Sequence, residues 1–320
     1  MYLLWLLSGL AALGVGGEML VRGAVGAARR LGVSPLLVGL TIVGFGTSTP
    51  ELVTSLVAAL EEAPGIAVGN VVGSNIANLL LILGSAALVA PLPLARVALR
   101  REGIALAGST AVCVLVILHG KLDLLPGMML VAVLFAYVAW AYTSERKLHG
   151  VRTTVHEQVA EDAAPQARSF GVYLGMCAGG IAMTVLGAHW LVDSAIELSR
   201  RLGIPETVIG LSVVAVGTSL PELVASLVAA ARGHAEVALG NIIGSNVYNV
   251  LGILGATAII HPIRVPAEIA RVDIWILLAA TMLLLFFLRT GTRIGRVEGA
   301  ILLGGYALYA AWLGLGSQPG

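Results

Sequence analysis

Charge is what this sequence has least of. Only 12% of its 320 residues are charged, whereas 58% are hydrophobic and the mean hydropathy is +0.94. Soluble domains carry about 25% charged residues, so this composition excludes an ordinary water-soluble protein. Cysteine is scarce as well: Cys113 and Cys177 each stand alone in an apolar run, which predicts buried, unreactive thiols.

The hydrophobic residues form long stretches. A membrane-spanning helix needs roughly 20 mainly apolar residues, and about ten stretches of that kind are present. We therefore expect an all-α polytopic membrane protein whose first span includes the opening MYLLWLLSGL, since no basic leader or suitable cleavage site marks a signal peptide. The stretches lie near residues 1–24, 34–60, 66–90, 98–118, 124–142, 170–197, 205–230, 237–260, 270–288 and 297–315.

The polar stretch at residues 143–169 divides the chain near its middle, so we predict a cytoplasmic linker between residues 1–142 and residues 170–320. Lys and Arg are enriched in cytoplasmic loops. With the N-terminus outside, thirteen basic residues, Arg101 among them, fall in inside loops and five in outside loops. This distribution predicts that both termini lie outside.

The two halves are copies of one another. Residues 33–91 and 204–262 align at a constant offset of 171 with 28 identities in 59 positions. Each half holds five predicted spans, and because five is odd, the second copy crosses the membrane in the opposite direction to the first. Such inverted repeats are typical of secondary transporters.

The first block of identities predicts a broken helix in the centre of each half. GFGTSTPELVTS at residues 44–55 matches AVGTSLPELVAS at residues 215–226, and both place proline, Pro50 or Pro221, in mid-span. Proline removes an amide and collides with the preceding turn, and a break within the membrane requires protein or water to satisfy the backbone. We expect Thr49 to cap the new half-helix, and the carbonyl groups freed near Thr47 and Thr218 to be available to a cation.

Directly after each proline stands a glutamate, Glu51 or Glu222. A carboxylate at mid-membrane is costly, so a functional role is the default interpretation. The second block of identities, GNVVGSNIAN at residues 69–78 and GNIIGSNVYN at residues 240–249, adds neutral oxygen ligands four residues apart on one helical face. These are Ser74 with Asn78 and Ser245 with Asn249.

Carboxylate, hydroxyl, amide and carbonyl oxygens suit a hard cation such as Ca²⁺. Two glutamate charges balance one Ca²⁺ or two Na⁺, so competition for one site would couple the movements of the two ions. The serines could instead serve close helix packing, and for Asn70 and Asn241 a hydrogen bond to backbone at a helix break is the favoured interpretation.

The doubled GTSxPE and GNxxGSN blocks resemble those of the calcium/cation antiporter superfamily, most closely its prokaryotic Na⁺/Ca²⁺ exchanger branch. The resemblance covers essentially all ten predicted spans and implies alternate binding of Ca²⁺ and Na⁺, sliding of the long first helix of each half, and residence in the prokaryotic inner (plasma) membrane. It departs at Asn249, where many members have aspartate, and this leaves open the Na⁺ stoichiometry, the holding of a proton at this position and K⁺ coupling. The implied ion ligands are Thr47, Ser48, Glu51, Ser74, Asn78, Thr218, Ser219, Glu222, Ser245 and Asn249.

Several alternatives remain. Exchange driven by H⁺, exchange that also requires K⁺, and transport of another divalent cation are the closest, although Gly73 and Gly244 stand where the proton-coupled branch has a carboxylate. A cation channel would use similar ligands, but the inverted repeat favours a transporter. The catalytic residues that an intramembrane hydrolase would need are missing, since the sequence has no HExxH and no paired mid-membrane aspartates. We expect no cofactor, no nucleic acid and no obligate protein partner.

Glu18 and Arg22, four residues apart on the first span, are expected to form a structural ion pair. Their counterparts at the same offset are His189 and Asp193. A histidine there would be sensitive to protons on a moving helix, or simply hydrogen-bonded.

Overall fold

The computed structural model describes residues 2–93, 96–152, 168–201, 215–291 and 293–316, and twelve helices lie within these ranges. Seven of them are long and apolar enough to cross a membrane, or eight spans if the bent pair α2 and α3 counts as one. The polytopic, nearly all-helical fold predicted from composition is confirmed, while the number ten stays a prediction. The helices are Tyr2–Leu31 (α1), Pro35–Thr47 (α2), Thr49–Leu60 (α3), Pro64–Val89 (α4), Arg96–His119 (α5), Leu124–Arg152 (α6), Phe170–Arg201 (α7), Ala215–Thr218 (α8), Leu220–Ala231 (α9), Ala235–Ile260 (α10), Ile269–Thr290 (α11) and Arg296–Gly316 (α12).

Two predicted segments differ from their expected bounds. Helix α6 continues to Arg152, so the first ten residues of the predicted linker 143–169 are helical, and most of the remainder falls outside the described residues. The stretch at 205–230 is described only from residue 215, where it forms α8 and α9.

The elements recur at the same offset as the sequence. Helix α3 at Thr49–Leu60 corresponds to α9 at Leu220–Ala231, each bound shifted by 171 residues. The short strands cross between the halves in the same symmetric way: β1 (Leu92–Pro93) pairs with β4 (Arg293–Ile294), and β2 (Lys121–Leu122) pairs with β3 (Ile263–Arg264), both antiparallel. Each of these two-stranded sheets therefore contains one strand from each half.

The long first helices of the two halves, α1 and α7, pack together through glycine. A Cβ added at Gly9 would lie 2.8 Å from the carbonyl oxygen of Gly187, and one at Gly16 would lie 3.0 Å from that of Gly180. Since the contacts move up α1 as they move down α7, the two helices run antiparallel. Glycine permits this close approach, as is common between helices in membranes.

A buried ion cluster joins α5 to α6. Arg101 Nε donates to Glu102 Oε1 at 2.7 Å, Arg101 Nη2 donates to Glu145 Oε1 at 3.1 Å, and the Tyr137 hydroxyl donates to Glu102. Arg101 is only 7% exposed and belongs to helix α5, so it is a helix residue and not the loop residue assumed in the count of basic residues. Its charge is neutralised by carboxylates, which makes its burial tolerable.

Candidate functional site

The break in the first half falls at Ser48. Helix α2 ends at Thr47 and α3 begins at Thr49, with a bend of 43° between them, so the broken span predicted from Pro50 is confirmed. Glu51 stands in the first turn of α3. The predicted cap is wrong, because Thr49 Oγ1 instead donates to the Phe45 carbonyl at 3.4 Å.

The second half repeats this arrangement around Ser219. Helix α8 ends at Thr218, α9 begins at Leu220, and Glu222 lies in the first turn of α9. Neither Ser48 nor Ser219 caps its own helix through its side chain. Their hydroxyl groups are therefore free for other partners.

Those partners are the glutamates of the opposite half. Ser48 Oγ donates to Glu222 Oε1 at 2.9 Å, and Ser219 Oγ donates to Glu51 Oε1 at 3.2 Å. Both glutamates are 1% exposed. The two helix breaks thus face each other, and each carboxylate is held by a serine that the other copy contributes.

The second pair of sequence blocks lies beside the first. The first residues of two π-helical segments are Asn78, in Asn78–Ile82 of α4, and Asn249, in Asn249–Leu254 of α10. The segment of Asn78 packs against α9, which carries Glu222, and the segment of Asn249 packs against α3, which carries Glu51. Short π-helical turns are frequent at functional sites because they redirect side chains.

Hydrogen bonds tie these residues together across the halves. Asn249 Nδ2 donates to Ser74 Oγ at 3.0 Å and to Asn75 Oδ1 at 3.1 Å. Ser245 Oγ donates to the Gly44 carbonyl at 3.3 Å. Asn75, which follows Ser74 in the repeated block, is therefore part of the polar centre.

The threonines are not equivalent. Thr47 is 0% exposed, and its hydroxyl is within hydrogen-bonding distance of the Val43 carbonyl and of Asn241 Oδ1. Thr218 is partly exposed, and no hydrogen bond of its side chain is found within the described residues. The structure therefore brings Thr47 into the polar centre more closely than Thr218.

Two further asparagines support the broken helices, as the sequence favoured. Asn70 Nδ2 donates to the Glu51 carbonyl and to Ser55 Oγ, both at 2.9 Å. Asn241 Nδ2 donates in the same way to the Glu222 carbonyl at 3.2 Å and to Ser226 Oγ at 2.9 Å. The interpretation that Asn70 and Asn241 bond to backbone at the breaks is confirmed.

Four oxygen atoms of the predicted ion ligands accept no hydrogen bond from the part of the chain that the structure describes, as is also true of Asn246 Oδ1 and Thr257 Oγ1 in α10. They are buried, and a buried acceptor without a donor is costly. Among the described residues no cluster of three or more His, Cys, Asp and Glu is found, so the centre is built of two carboxylates and neutral groups. The four oxygens that belong to predicted ligands are Glu51 Oε2, Glu222 Oε2, Asn78 Oδ1 and Asn249 Oδ1.

Comparison with known proteins decides the family. The family model described as "Sodium/calcium exchanger protein" matches residues 1–143 and 172–315. The chain belongs to the sodium/calcium exchanger family. It is thus an integral membrane protein and a cation antiporter, and its family is one of transporters and not of enzymes.

Relatives match along nearly the full length. Sodium/calcium exchanger MaX1 of Methanosarcina acetivorans is 34% identical, covering 95% of this chain and 96% of its own length. Inner membrane protein YrbG of Escherichia coli is 36% identical, covering 89% and 88%. A solved structure of the sodium-calcium exchanger NCX_Mj, soaked with 2.5 mM Na⁺ and 0.1 mM Ca²⁺, has a TM-score of 0.83 at 31% identity and covers 97% of both chains.

Proposed function

We propose that this exchanger moves Ca²⁺ against Na⁺ across the prokaryotic plasma membrane by alternating access, with the ions bound between Glu51 and Glu222. The observation that carries the proposal is the set of four buried oxygens without a donor, on Glu51, Glu222, Asn78 and Asn249. We propose that one bound cation takes all four as ligands and so offsets the cost of burying them without a donor. Oxygen-only ligand sets are those that Ca²⁺ prefers.

Charge supports the same pair of ions. Two carboxylates balance one Ca²⁺ or two Na⁺, so each ion can displace the other without leaving net charge in the low-dielectric interior. The serine bonds from Ser48 and Ser219 occupy only one oxygen of each carboxylate, which leaves the other oriented for the ion. We propose the hydroxyl and carbonyl groups of Thr47, Thr218, Ser74 and Ser245 as the remaining ligands.

Asymmetry between the halves supports alternating access. Helix α1 packs along α9, where a Cβ at Gly17 would lie 2.8 Å from Val224 Cγ1 and 3.2 Å from Val228 Cγ2. The counterparts on α3, Val53 and Val57, are 54% and 45% exposed. One copy of the same helix face is therefore covered and the other is not, as expected when one side of an exchanger is closed and the other open.

The same comparison supports a site that opens to one side of the membrane. Asn241, beside the closed half, is 0% exposed, whereas Asn70 beside α3 is partly exposed. If basic loops face the cytoplasm, Arg232 at the end of α9 is inside and the open side is outside. We propose this orientation, with both termini outside, and the inner-membrane name of YrbG agrees with the proposed location.

Replacing either glutamate by glutamine tests the site. Glu51→Gln and Glu222→Gln should each reduce Na⁺-driven Ca²⁺ uptake into proteoliposomes by at least about 100-fold. Loss of a side chain that only orients a metal ligand already lowers metal affinity or activity by about 10–100-fold, and here a charged ligand itself is lost. Glu236→Gln is a matched control, since Glu236 is an exposed first-turn glutamate of α10. Full activity in both site variants would contradict the assignment.

A further inference from the structure

An ion pair fastens α1 to the end of α9. Glu18 Oε2 lies 2.8 Å from Arg232 Nε, and Glu18 Oε1 lies 2.6 Å from Arg22 Nε. Arg232 directly follows α9, the helix whose apolar face α1 covers through Gly17. The closed side of the molecule thus ends in a contact between one glutamate and two arginines.

The repeat places different charges at the corresponding positions of the open side. At the offset of 171, Glu18 corresponds to His189, Arg22 to Asp193, and Arg232 to Glu61. His189 Nε2 lies 3.3 Å from Asp193 Oδ2, and these side chains are 67% and 62% exposed. No ion pair of Glu61 is found among the residues that the structure describes.

The apolar residues between these charges are the same in both halves. Val53 and Val57 of α3 correspond to Val224 and Val228 of α9, which α1 covers. The helices α3 and α9 therefore present equivalent apolar faces, and α7 is the counterpart of the helix α1 that covers α9. When α7 covers α3 as α1 now covers α9, the repeat places His189 and Asp193 against Glu61.

We propose that His189 is a proton-dependent latch, which when charged binds Glu61 and holds α7 against α3, closing the side of the site that is open here. This inference rests on the proposed alternating access. Histidine side chains gain charge between about pH 8 and 5. Without that charge, closure brings Asp193 and Glu61 together as like charges; with it, His189 bridges the two carboxylates.

The elements packed against α7 add few other charges at this end, whereas Lys121, His261 and Arg264 line a cavity together with Glu62, the neighbour of Glu61. Helix α1 presents Trp5, whose ring lies 5.3 Å from that of Trp190, and its own charged residues begin at Glu18, toward the opposite end. Helix α2 and the described residues of α8 contain no titratable group. Glu222 of α9 is buried in the ion site, Glu62 adjoins Glu61, and Glu197 lies further along α7 on the far side of Asp193 from His189.

Hydrogen exchange of α3 tests the latch. In lipid nanodiscs without Ca²⁺, amides at residues 53–63 of the unmodified protein should exchange about two- to fivefold more slowly than those of His189→Gln at about pH 6, the range expected of an exposed ion pair. At about pH 8 the two proteins should be equal, since histidine is then neutral. Comparing proteins at one pH removes the intrinsic pH dependence of amide exchange.

Three further variants separate a latch from a merely structural role. His189→Lys, charged throughout, should protect residues 53–63 at both pH values, and Asp193→Asn should increase protection at about pH 8 by removing the like charge. Glu61→Gln should reproduce His189→Gln, which keeps the test available if one of them folds poorly. Equal exchange rates in the unmodified protein and His189→Gln at about pH 6 would overturn the proposal.

Transport by the same preparations distinguishes this proposal from the proposed function. His189→Gln should still carry out Na⁺-driven Ca²⁺ uptake, because His189 does not touch the ion site. Absence of uptake in the unmodified protein would contradict the antiport mechanism, whereas absence of the pH-dependent protection would contradict the latch alone.

Discussion

The two carboxylate oxygens of each site glutamate lie in different environments. One oxygen of Glu51 accepts a hydrogen bond from Ser219, one oxygen of Glu222 accepts a hydrogen bond from Ser48, and the second oxygen of each is buried without a donor. A carboxylate fixed by one oxygen presents the other in a defined direction. The bonded serine therefore positions the ligand that we propose for the ion.

Removing these serine hydroxyls should weaken ion binding without removing charge. Ser48→Ala and Ser219→Ala should each raise the Ca²⁺ concentration for half-maximal uptake about tenfold or more, because a hydrogen bond to a charged group contributes about 1.5–3 kcal/mol. Ser8→Ala, on the exposed face of α1, is the control. Unchanged half-maximal concentrations in both variants would show that the cross-repeat bonds do not position the carboxylates.

Replacing Asn249 by aspartate tests whether the departure from the prokaryotic Na⁺/Ca²⁺ exchanger branch affects transport. Asn249→Asp adds a third carboxylate beside Ser74, and a carboxylate close to others of like charge holds a proton more readily. Uptake by this variant should therefore fall more steeply as the pH is lowered, and its dependence on Na⁺ concentration should change. Asn78→Asp is the repeat-related comparison, and kinetics identical to the unmodified protein in pH and Na⁺ series would make the asparagine inconsequential.

At the scale of elements, the sequence was informative where one residue dictates local geometry. Pro50 and Pro221 predicted the two breaks, because proline cannot continue a helix through its own amide, and the repeated glutamates predicted which oxygens would converge. The prediction that Thr49 caps the half-helix was wrong. The position of the cap depends on where the preceding helix ends, and the residue type alone does not determine that end. The cross-repeat bonds of Ser48 and Ser219 could not be predicted, because they depend on how the two halves dock.

The glycine contact between α1 and α7 gives a prediction at this scale. Gly180→Ala should destabilise the protein, because the new Cβ would lie 2.6 Å from the Leu20 amide nitrogen and 2.8 Å from the Gly16 carbonyl oxygen. We expect a lower midpoint of thermal unfolding in detergent, with a loss of about 1–3 kcal/mol typical of overpacking. Gly175→Ala on the same helix meets nothing within 4 Å and should unfold as the unmodified protein does. Equal midpoints for the two variants would show that this contact is not tightly packed.

The whole molecule has two related halves in unequal environments. The offset of 171 was visible in the sequence, but the contact of α1 with the partly buried Val224 and Val228 beside the exposure of Val53 and Val57 was not, because identical residues carry no information about which copy is covered. The buried cluster of Arg101 was missed for a similar reason. A basic residue at the end of an apolar stretch is interpreted as a loop residue unless its carboxylate partner on α6 is known.

The most direct test of the account is Ca²⁺ uptake into proteoliposomes loaded with Na⁺, compared with vesicles that carry only a pH gradient or only K⁺. The account predicts uptake that requires the outward Na⁺ gradient and stops when that gradient is abolished. Uptake driven equally well by the pH gradient alone, or Ca²⁺ entry that needs no counter-ion gradient, would contradict Na⁺/Ca²⁺ exchange.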